Sequence, residues 1–321
     1  MQDLQAFLAA DMQRVDAVIR SRLRSEVVLV NQVAEYIIDS GGKRLRPALV
    51  LLVAGACGYT AEAAPVLAAV VEFIHTATLL HDDVVDESDL RRGRDTANAL
   101  FGNAASVLVG DFLYSRAFQM MVEVGQMRVM QVLSDATNII AEGEVLQLMN
   151  CRNADISEED YLHVIRYKTA KLFEAAARLG AIMGGVDAGQ EQAFAAYGMH
   201  LGTAFQLIDD VLDYSGDLAE IGKNLGDDLA EGKPTLPLLY VMQQGDATQS
   251  ALVRSVIEQG GGLQQFDEIL AAVRNSGALD YARRCAQEES VRALAMLSGV
   301  PDSPYKNHLV QLAHFAVDRV F

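Results

Sequence analysis

The sequence predicts a single all-α domain, and three observations predict it. Apolar residues recur with helical spacing along nearly the whole chain. No stretch alternates with period two for long enough to form a convincing strand. Glycines fall mainly between the periodic stretches, and only six prolines occur, with Pro47, Pro234 and Pro237 near helix starts. At 321 residues the chain is large for one core, which leaves two helical halves as the alternative. No linker-like or low-complexity tract separates such halves.

The periodicity predicts helices near residues 3–22, 26–40, 46–57, 61–86, 104–124 and 127–150. Gly41-Gly42, Gly58 and Gly93 fall at breaks, and Pro47 sits near a helix start, where its missing N–H costs nothing. The next helix, 157–183, opens on Ser157-Glu158-Glu159-Asp160, which reads as a capping box, and closes at Gly184-Gly185. Further helices are expected at 189–215, 234–244, 247–259, 262–275, 278–298 and 303–320, with Pro234 and Pro237 near the start of the first short one.

Composition excludes several classes. Hydrophobic residues make up 51%, too many for a disordered chain. The longest apolar runs, such as Pro65–Val71, look too short to span a bilayer, and no basic-then-apolar signal segment opens the chain, so a cytoplasmic location is expected. Cys57, Cys151 and Cys285 show no paired spacing, which indicates neither a disulfide framework nor a zinc site. Formal charge is 26 − 43 = −17, which argues against nucleic acid. An anionic substrate approaching such a surface needs local cations or metals.

Two helix ends carry the chemistry. Asp82-Asp83-Val84-Val85-Asp86 and Asp209-Asp210-Val211-Leu212-Asp213 both read Asp-Asp-x-x-Asp. Residues four apart share a helix face, so Asp82 lies over Asp86 and Asp209 over Asp213. Like charges at that spacing destabilise a helix unless something compensates. Hard divalent cations do so, and Mg²⁺ brings phosphate oxygens with it.

Basic residues suit the same anion. In Gly41-Gly42-Lys43-Arg44-Leu45-Arg46-Pro47, Lys43 and Arg46 can converge on one phosphate, or the segment is an ordinary solvated loop. Arg91-Arg92 either faces diphosphates or pairs with Asp86, Glu87 or Asp89. Lys168-Thr169 lies mid-helix beside an apolar face. Gly222-Lys223-Asn224-Leu225-Gly226 leading to Gly232-Lys233-Pro234 is either a mobile lid or a plain connection. His75 precedes Asp82 by about two turns, on a similar face, where it is either a ligand contact or a core histidine. No P-loop, G-x-G-x-x-G or Ser-His-Asp order occurs, which disfavours hydrolysis by a protein nucleophile and hydride transfer. The residues pose one problem: a metal-held diphosphate leaves while dry helical walls shield the organic remainder.

These motifs, in this order from about residue 30 to 240, closely resemble the trans-prenyl diphosphate synthases: Gly41–Pro47, Asp82–Asp86 with Arg91-Arg92-Gly93, Lys168-Thr169, Gln206 before the second Asp motif, and Gly232-Lys233-Pro234. Glu72–His81 and Gly143–Asn150 are most similar to the long-chain bacterial branch that makes octaprenyl diphosphate. The resemblance implies an antiparallel helical bundle around a deep central cavity, the isoprenoid synthase fold, acting as a homodimer. Lys43, Arg46, His75 and Arg92 would bind isopentenyl diphosphate. Asp82, Asp86 and Asp209 would ligate Mg²⁺, about three ions with substrate bound. Arg91, Lys168, Lys223 and Lys233 would hold the allylic diphosphate, with Thr169 and Gln206 against the developing cation. Farnesyl diphosphate is the expected primer and a quinone side chain the expected use of the product. No transmembrane segment is implied, only transient membrane contact for product release.

Product length follows from bulk. The tail would run down the Asp82 helix, where Ala77 is small and Thr78 modest, so the path looks open. Phe118, Met120 and Met121 are candidates for its floor or are simple core. A class I terpene cyclase shares the metal logic, but the second Asp-Asp-x-x-Asp and the Lys43, Arg46, His75 set argue against it. A non-catalytic subunit would not need both Asp motifs intact.

Overall fold

The structure is a computed structural model and describes residues 2–91, 93–215 and 226–319. Helices dominate: α1 (Gln2–Leu23), α2 (Val28–Asp39), α3 (Leu45–Ala56), α4 (Ala63–Val85), α5 (Ala97–Phe101), α6 (Asn103–Val124), α7 (Met127–Asn150), α8 (Glu158–Ile165), α9 (Lys171–Met183) and α10 (Ala188–Ser215). Then follow α11 (Asp227–Ala230), α12 (Leu236–Gln244), α13 (Ala247–Gln259), α14 (Phe266–Asn275), α15 (Ala278–Met296) and α16 (Pro304–Asp318). The all-α expectation holds, and each expected helix has its counterpart.

Three details depart from the sequence reading. A small antiparallel hairpin, β1 (Leu90–Arg91) with β2 (Arg94–Asp95), follows α4, and its two-residue strands are too short to leave a period. The helix expected across 157–183 is interrupted by a π-turn at Arg166–Ala170. Finally, α4 is long and apolar enough by length and composition to cross a bilayer, against the expectation that no run is. Most of it is buried within the protein, as in a core helix.

The chain divides into two units. One comprises Met1–Thr137, Leu172–Gly198 and Met296–Leu312; the other comprises Asn138–Lys171, Met199–Ala295 and Ala313–Phe321. In the first, α4 packs on α1, α3 and α6, with Phe73, Ile74 and Leu80 fully buried. Gly180 lets α9 approach α3 closely: a Cβ there would lie 2.7 Å from the Ala54 nitrogen. In the second, Tyr161, Leu207, Ile208, Leu236 and Ala282 join α8, α10, α12 and α15 in one apolar cluster. The expected capping box at Ser157 is present, with Asp160 as its reciprocal acceptor.

A buried carboxylate also ties this second unit. Glu289 of α15 accepts from Arg292 Nη1 at 2.7 Å and from Arg166 Nη2 at 3.5 Å, and lies 2.5 Å from His200 Nδ1. Burial works to raise its pKa. The hydrogen bond and charge of His200, with Arg292 and Arg166, outweigh burial and hold the carboxyl below the usual glutamate value. Glu289→Gln is therefore expected to cost about 1–3 kcal/mol of stability at neutral pH. A depressed folded pKa stabilises above the unfolded value of about 4.3, and that contribution is lost as pH falls through the folded value. Urea denaturation near pH 7 and near pH 3 checks this: the gap between variant and parent narrows at the lower pH.

Candidate active site

The first Asp motif ends α4. Asp82 is half-buried on the last turn, and Asp86 is the C-cap, also half-buried. Asp83 between them is fully buried and accepts from Arg91 Nε at 2.7 Å, with Arg91 Nη2 at 2.5 Å. Arg91 therefore pairs with Asp83, which was not among the partners the sequence suggested. The reason is a chain reversal. Glu87 adopts a left-handed conformation (φ 51°), Ser88 N–H donates to the Asp83 carbonyl at 3.0 Å, and β1 returns beside α4. Asn98 Nδ2 donates to the same carbonyl at 3.2 Å. Arg92 lies outside the described residues.

The Gly41-Gly42 loop delivers basic residues to α3. Gly41 (φ 79°) and Gly42 (φ 145°) turn the chain, and Arg44 sits at the N-cap of α3 in the left-handed region (φ 50°). An ion pair with buried Glu72 at 3.1 Å holds it there. Lys43 is half-buried. Arg46 lies over the Phe173 ring, 4.4 Å from its centroid, and its Nη1 is 3.1 Å from His75 Nε2. Arginine can only donate, so in this contact Nε2 is the acceptor. Two of the expected isopentenyl-diphosphate ligands are thus in direct contact.

Further along α4, Ala77 is fully buried and Thr78 Oγ1 donates to the His75 carbonyl at 2.8 Å. On α6, Met120 and Met121 are fully buried and Phe118 partly so.

In the second unit the π-turn carries Lys168 and Thr169. Such turns insert one extra residue into a helix and recur at functional sites. Gly143 of α7 makes room for it: a Cβ there would lie 2.6 Å from the Lys168 nitrogen. The neighbouring Glu144 accepts from Lys168 Nζ at 2.6 Å. Thr169 Oγ1 donates to Gln206 Oε1 at 3.0 Å, Gln206 Nε2 donates to Asp210 Oδ1 at 2.8 Å, and Tyr161 O–H donates to Asp210 Oδ2 at 2.5 Å. Burial, then the carboxylate of Asp228, push Asp210 up to about 7, against the lowering effect of Tyr161 and Gln206.

The second Asp motif mirrors the first. Asp210 is buried and internally bonded, Asp213 is also buried, and Asp209 is 43% exposed at its side chain. Asp209 Oδ1 accepts from Arg319 Nη1 at 2.6 Å. Lys233 is half-buried and forms an ion pair with Glu231. Lys223 lies outside the described residues.

The donor set fits Mg²⁺. Asp82, Asp86 and Asp209 offer hard carboxylate oxygens with some exposure to solvent. Among the described residues no group of three or more His, Cys, Asp or Glu could hold a metal on its own. Mg²⁺ needs no such cage: it takes one or two carboxylates and fills its shell with water and phosphate oxygens.

Four partners escaped the sequence reading. Asp83 and Asp210 were each the unassigned middle residue of a motif. Glu144 stood inside a quoted segment without a role, and nothing local in sequence links Arg319 to Asp209. A buried middle Asp has one faint signal: apolar residues flank both motifs.

A sequence model of the polyprenyl synthetase family matches residues 27–273. The octaprenyl diphosphate synthase of Escherichia coli is 53% identical over 319 residues, covering 99% of both chains. An all-trans-nonaprenyl-diphosphate synthase (geranyl-diphosphate specific) of Rhodobacter capsulatus is 48% identical, covering 99% of this chain and 98% of its own. A crystal structure of a polyprenyl synthase from Caulobacter crescentus, complexed with calcium and isoprenyl diphosphate, superimposes with a TM-score of 0.96 at 44% identity, covering 99% of this chain and 97% of that one.

The π-turn yields a test. Gly143→Ala drives a methyl into the Lys168 backbone, with an expected loss of about 1–3 kcal/mol. Because the displaced segment carries Lys168 and Thr169, turnover should fall further than stability explains. Denaturation midpoints measured beside steady-state rates would separate the two, and a variant with full activity would show that the turn's position is immaterial.

Proposed function

This chain belongs to the polyprenyl synthetase family, and from that premise we propose that it is a Mg²⁺-dependent trans-prenyltransferase that lengthens an allylic diphosphate with successive isopentenyl units. The product is a long all-trans polyprenyl diphosphate, and octaprenyl is the length favoured by 53% identity to an octaprenyl diphosphate synthase across 99% of both chains. The single observation that carries the chemistry is common to both Asp motifs. Each buries its middle aspartate on an internal partner and leaves an outer carboxylate, Asp82 or Asp209, partly exposed.

Asp82, Asp86 and Asp209 would hold Mg²⁺. When bound, the metal supplies electrostatic stabilisation to a diphosphate as it leaves. The rest falls to the protein. Arg91, oriented by Asp83, and Lys168, oriented by Glu144, offer charge to the allylic diphosphate. Lys223 and Lys233 add to that set in our reading. Arg46 and His75, with Lys43 and Arg92, receive isopentenyl diphosphate. Thr169 and Gln206 turn oxygens toward the developing allylic cation, held there by Asp210. Apolar walls keep water from that cation. The isopentenyl double bond attacks it, a new carbon–carbon bond forms, and the proton lost passes to the released diphosphate. No side-chain base is required.

We further infer a homodimer, supported by exposed Val107 and Leu108 on α6 and exposed Val145, Leu148 and Met149 on α7. Exposed apolar side chains of this kind also support transient membrane contact during product release. A cytoplasmic setting fits three cysteines that form no disulfide. Farnesyl diphosphate as primer and a quinone side chain as destination complete the reading. The relative of nonaprenyl specificity at 48% identity favours one second reading, a product one unit longer.

Two variants test it. Asp82→Ala is expected to abolish Mg²⁺-dependent turnover, at least a hundredfold, the scale of losing a key electrostatic group; activity retained at saturating Mg²⁺ would make that face structural. Ala77→Tyr puts a ring on α4 about 7.5 Å from Asp82 along the helix. Chain-length assay by mass spectrometry should then show products several isoprene units shorter, and an unchanged length would remove α4 as the wall of the tail channel.

A further inference from the structure

Arg319 has no part in the reading above, yet it is held from every side. Its side chain is 3% exposed. Nη1 donates to Asp209 Oδ1 at 2.6 Å, Nη2 donates to the Phe205 carbonyl, and Nε donates to the Ala316 carbonyl at 3.4 Å. The guanidinium also lies 3.7 Å from the centroid of the Phe205 ring. Phe205 and Asp209 are one turn apart on α10, so a single arginine spans one helical turn and ends on the outer carboxylate of the second Asp motif.

Two roles are compatible with an arginine on a metal-binding carboxylate. It could stand in for the cation and leave when the metal arrives, or it could stay and aim the carboxylate. The contacts decide for the second. Release would strip a buried guanidinium of two carbonyl acceptors and an aromatic face as well as its counter-ion. Retention costs Asp209 little, because a carboxylate has about four lone-pair sites on two oxygens and Arg319 engages only Oδ1. Asp209 remains 43% exposed, so the group has a solvent-facing side.

We propose that Arg319 is a positioning residue for the second metal face: it locks Asp209 through Oδ1 so that the remaining oxygen is presented to a divalent cation. Metal occupancy and docking of the Arg319 side chain are then linked, each favouring the other. This rests on reading Asp209 as a metal ligand. Partners that orient metal ligands typically contribute 10–100-fold in metal affinity.

The test uses the full chain, metal-free, titrated with Mn²⁺ in the presence of inorganic diphosphate, with free Mn²⁺ read by electron paramagnetic resonance. The variants are Arg319→Ala, Arg319→Gln, Arg319→Lys and Asp209→Asn, with circular dichroism melts to confirm folding. The expected result is a 10–100-fold weaker Mn²⁺ affinity for Arg319→Ala, partial recovery in Arg319→Lys, and the same ion lost in Asp209→Asn. In turnover assays the KM for Mg²⁺ should rise more than kcat falls. If Arg319→Ala does not fold, Arg319→Gln, which keeps a packed stem and a donor without the charge, carries the same expectation. Affinity unchanged in a folded variant makes Arg319 merely structural, and tighter binding makes it a competitor; either overturns the proposal. Full Mn²⁺ binding in Asp209→Asn would overturn the ligand reading itself, and the proposal with it.

Discussion

Crowded negative charge at a helix end is the constraint on which this protein depends. Three aspartates within five residues cannot all face one another at a helix terminus without cost, and the chain does this twice. Both solutions take the middle carboxylate inside. Asp83 goes to a charged donor, Arg91, returned by a chain reversal. Asp210 goes to neutral donors, Tyr161 and Gln206, and its carboxyl rises toward neutrality because burial outweighs them. Each internal partner does a second job. Arg91 and Gln206 are themselves groups we propose for the substrate, so on that reading removing one charge from the crowd also aims one ligand.

Polar chains carry this logic outward from α10. Thr169, Gln206, Asp210 and Tyr161 form a continuous run of hydrogen bonds from the π-turn to α8. Every link has a donor and an acceptor, which is the condition under which a buried polar run adds rigidity rather than cost. Arg319 adds a separate tether on the exposed side of the same helix. The second motif is thus braced from within by one set of groups and from without by another.

Much of this was legible in the chain. The helices were, because buried faces repeat every three or four residues and little overrides that signal here. The aspartates and basic residues of the proposed site could be named as candidates, because their types and order suggest diphosphate and metal. What stayed hidden depends on distance in sequence. Arg319 meets Asp209 across 110 residues, and Lys168 meets Glu144 across 24. A pairing of that kind leaves no local pattern. Arg91 was placed among its sequence neighbours for the same reason, since the reversal at Glu87 uses a non-glycine residue in a conformation that composition does not announce.

The π-turn at Arg166–Ala170 bears on how such a chain can change over time. One residue turns an α-helix by roughly 100°. The π-turn takes up such an extra residue locally, so a single-residue deletion between Arg166 and Ala170 would restore ordinary helix and leave the flanking segments facing as they do. What the deletion would remove is the bulge itself, and with it the displaced backbone that carries Lys168 and Thr169. Substitutions here test side chains, whereas a deletion tests the number of residues, which sets where the backbone of Lys168 and Thr169 stands.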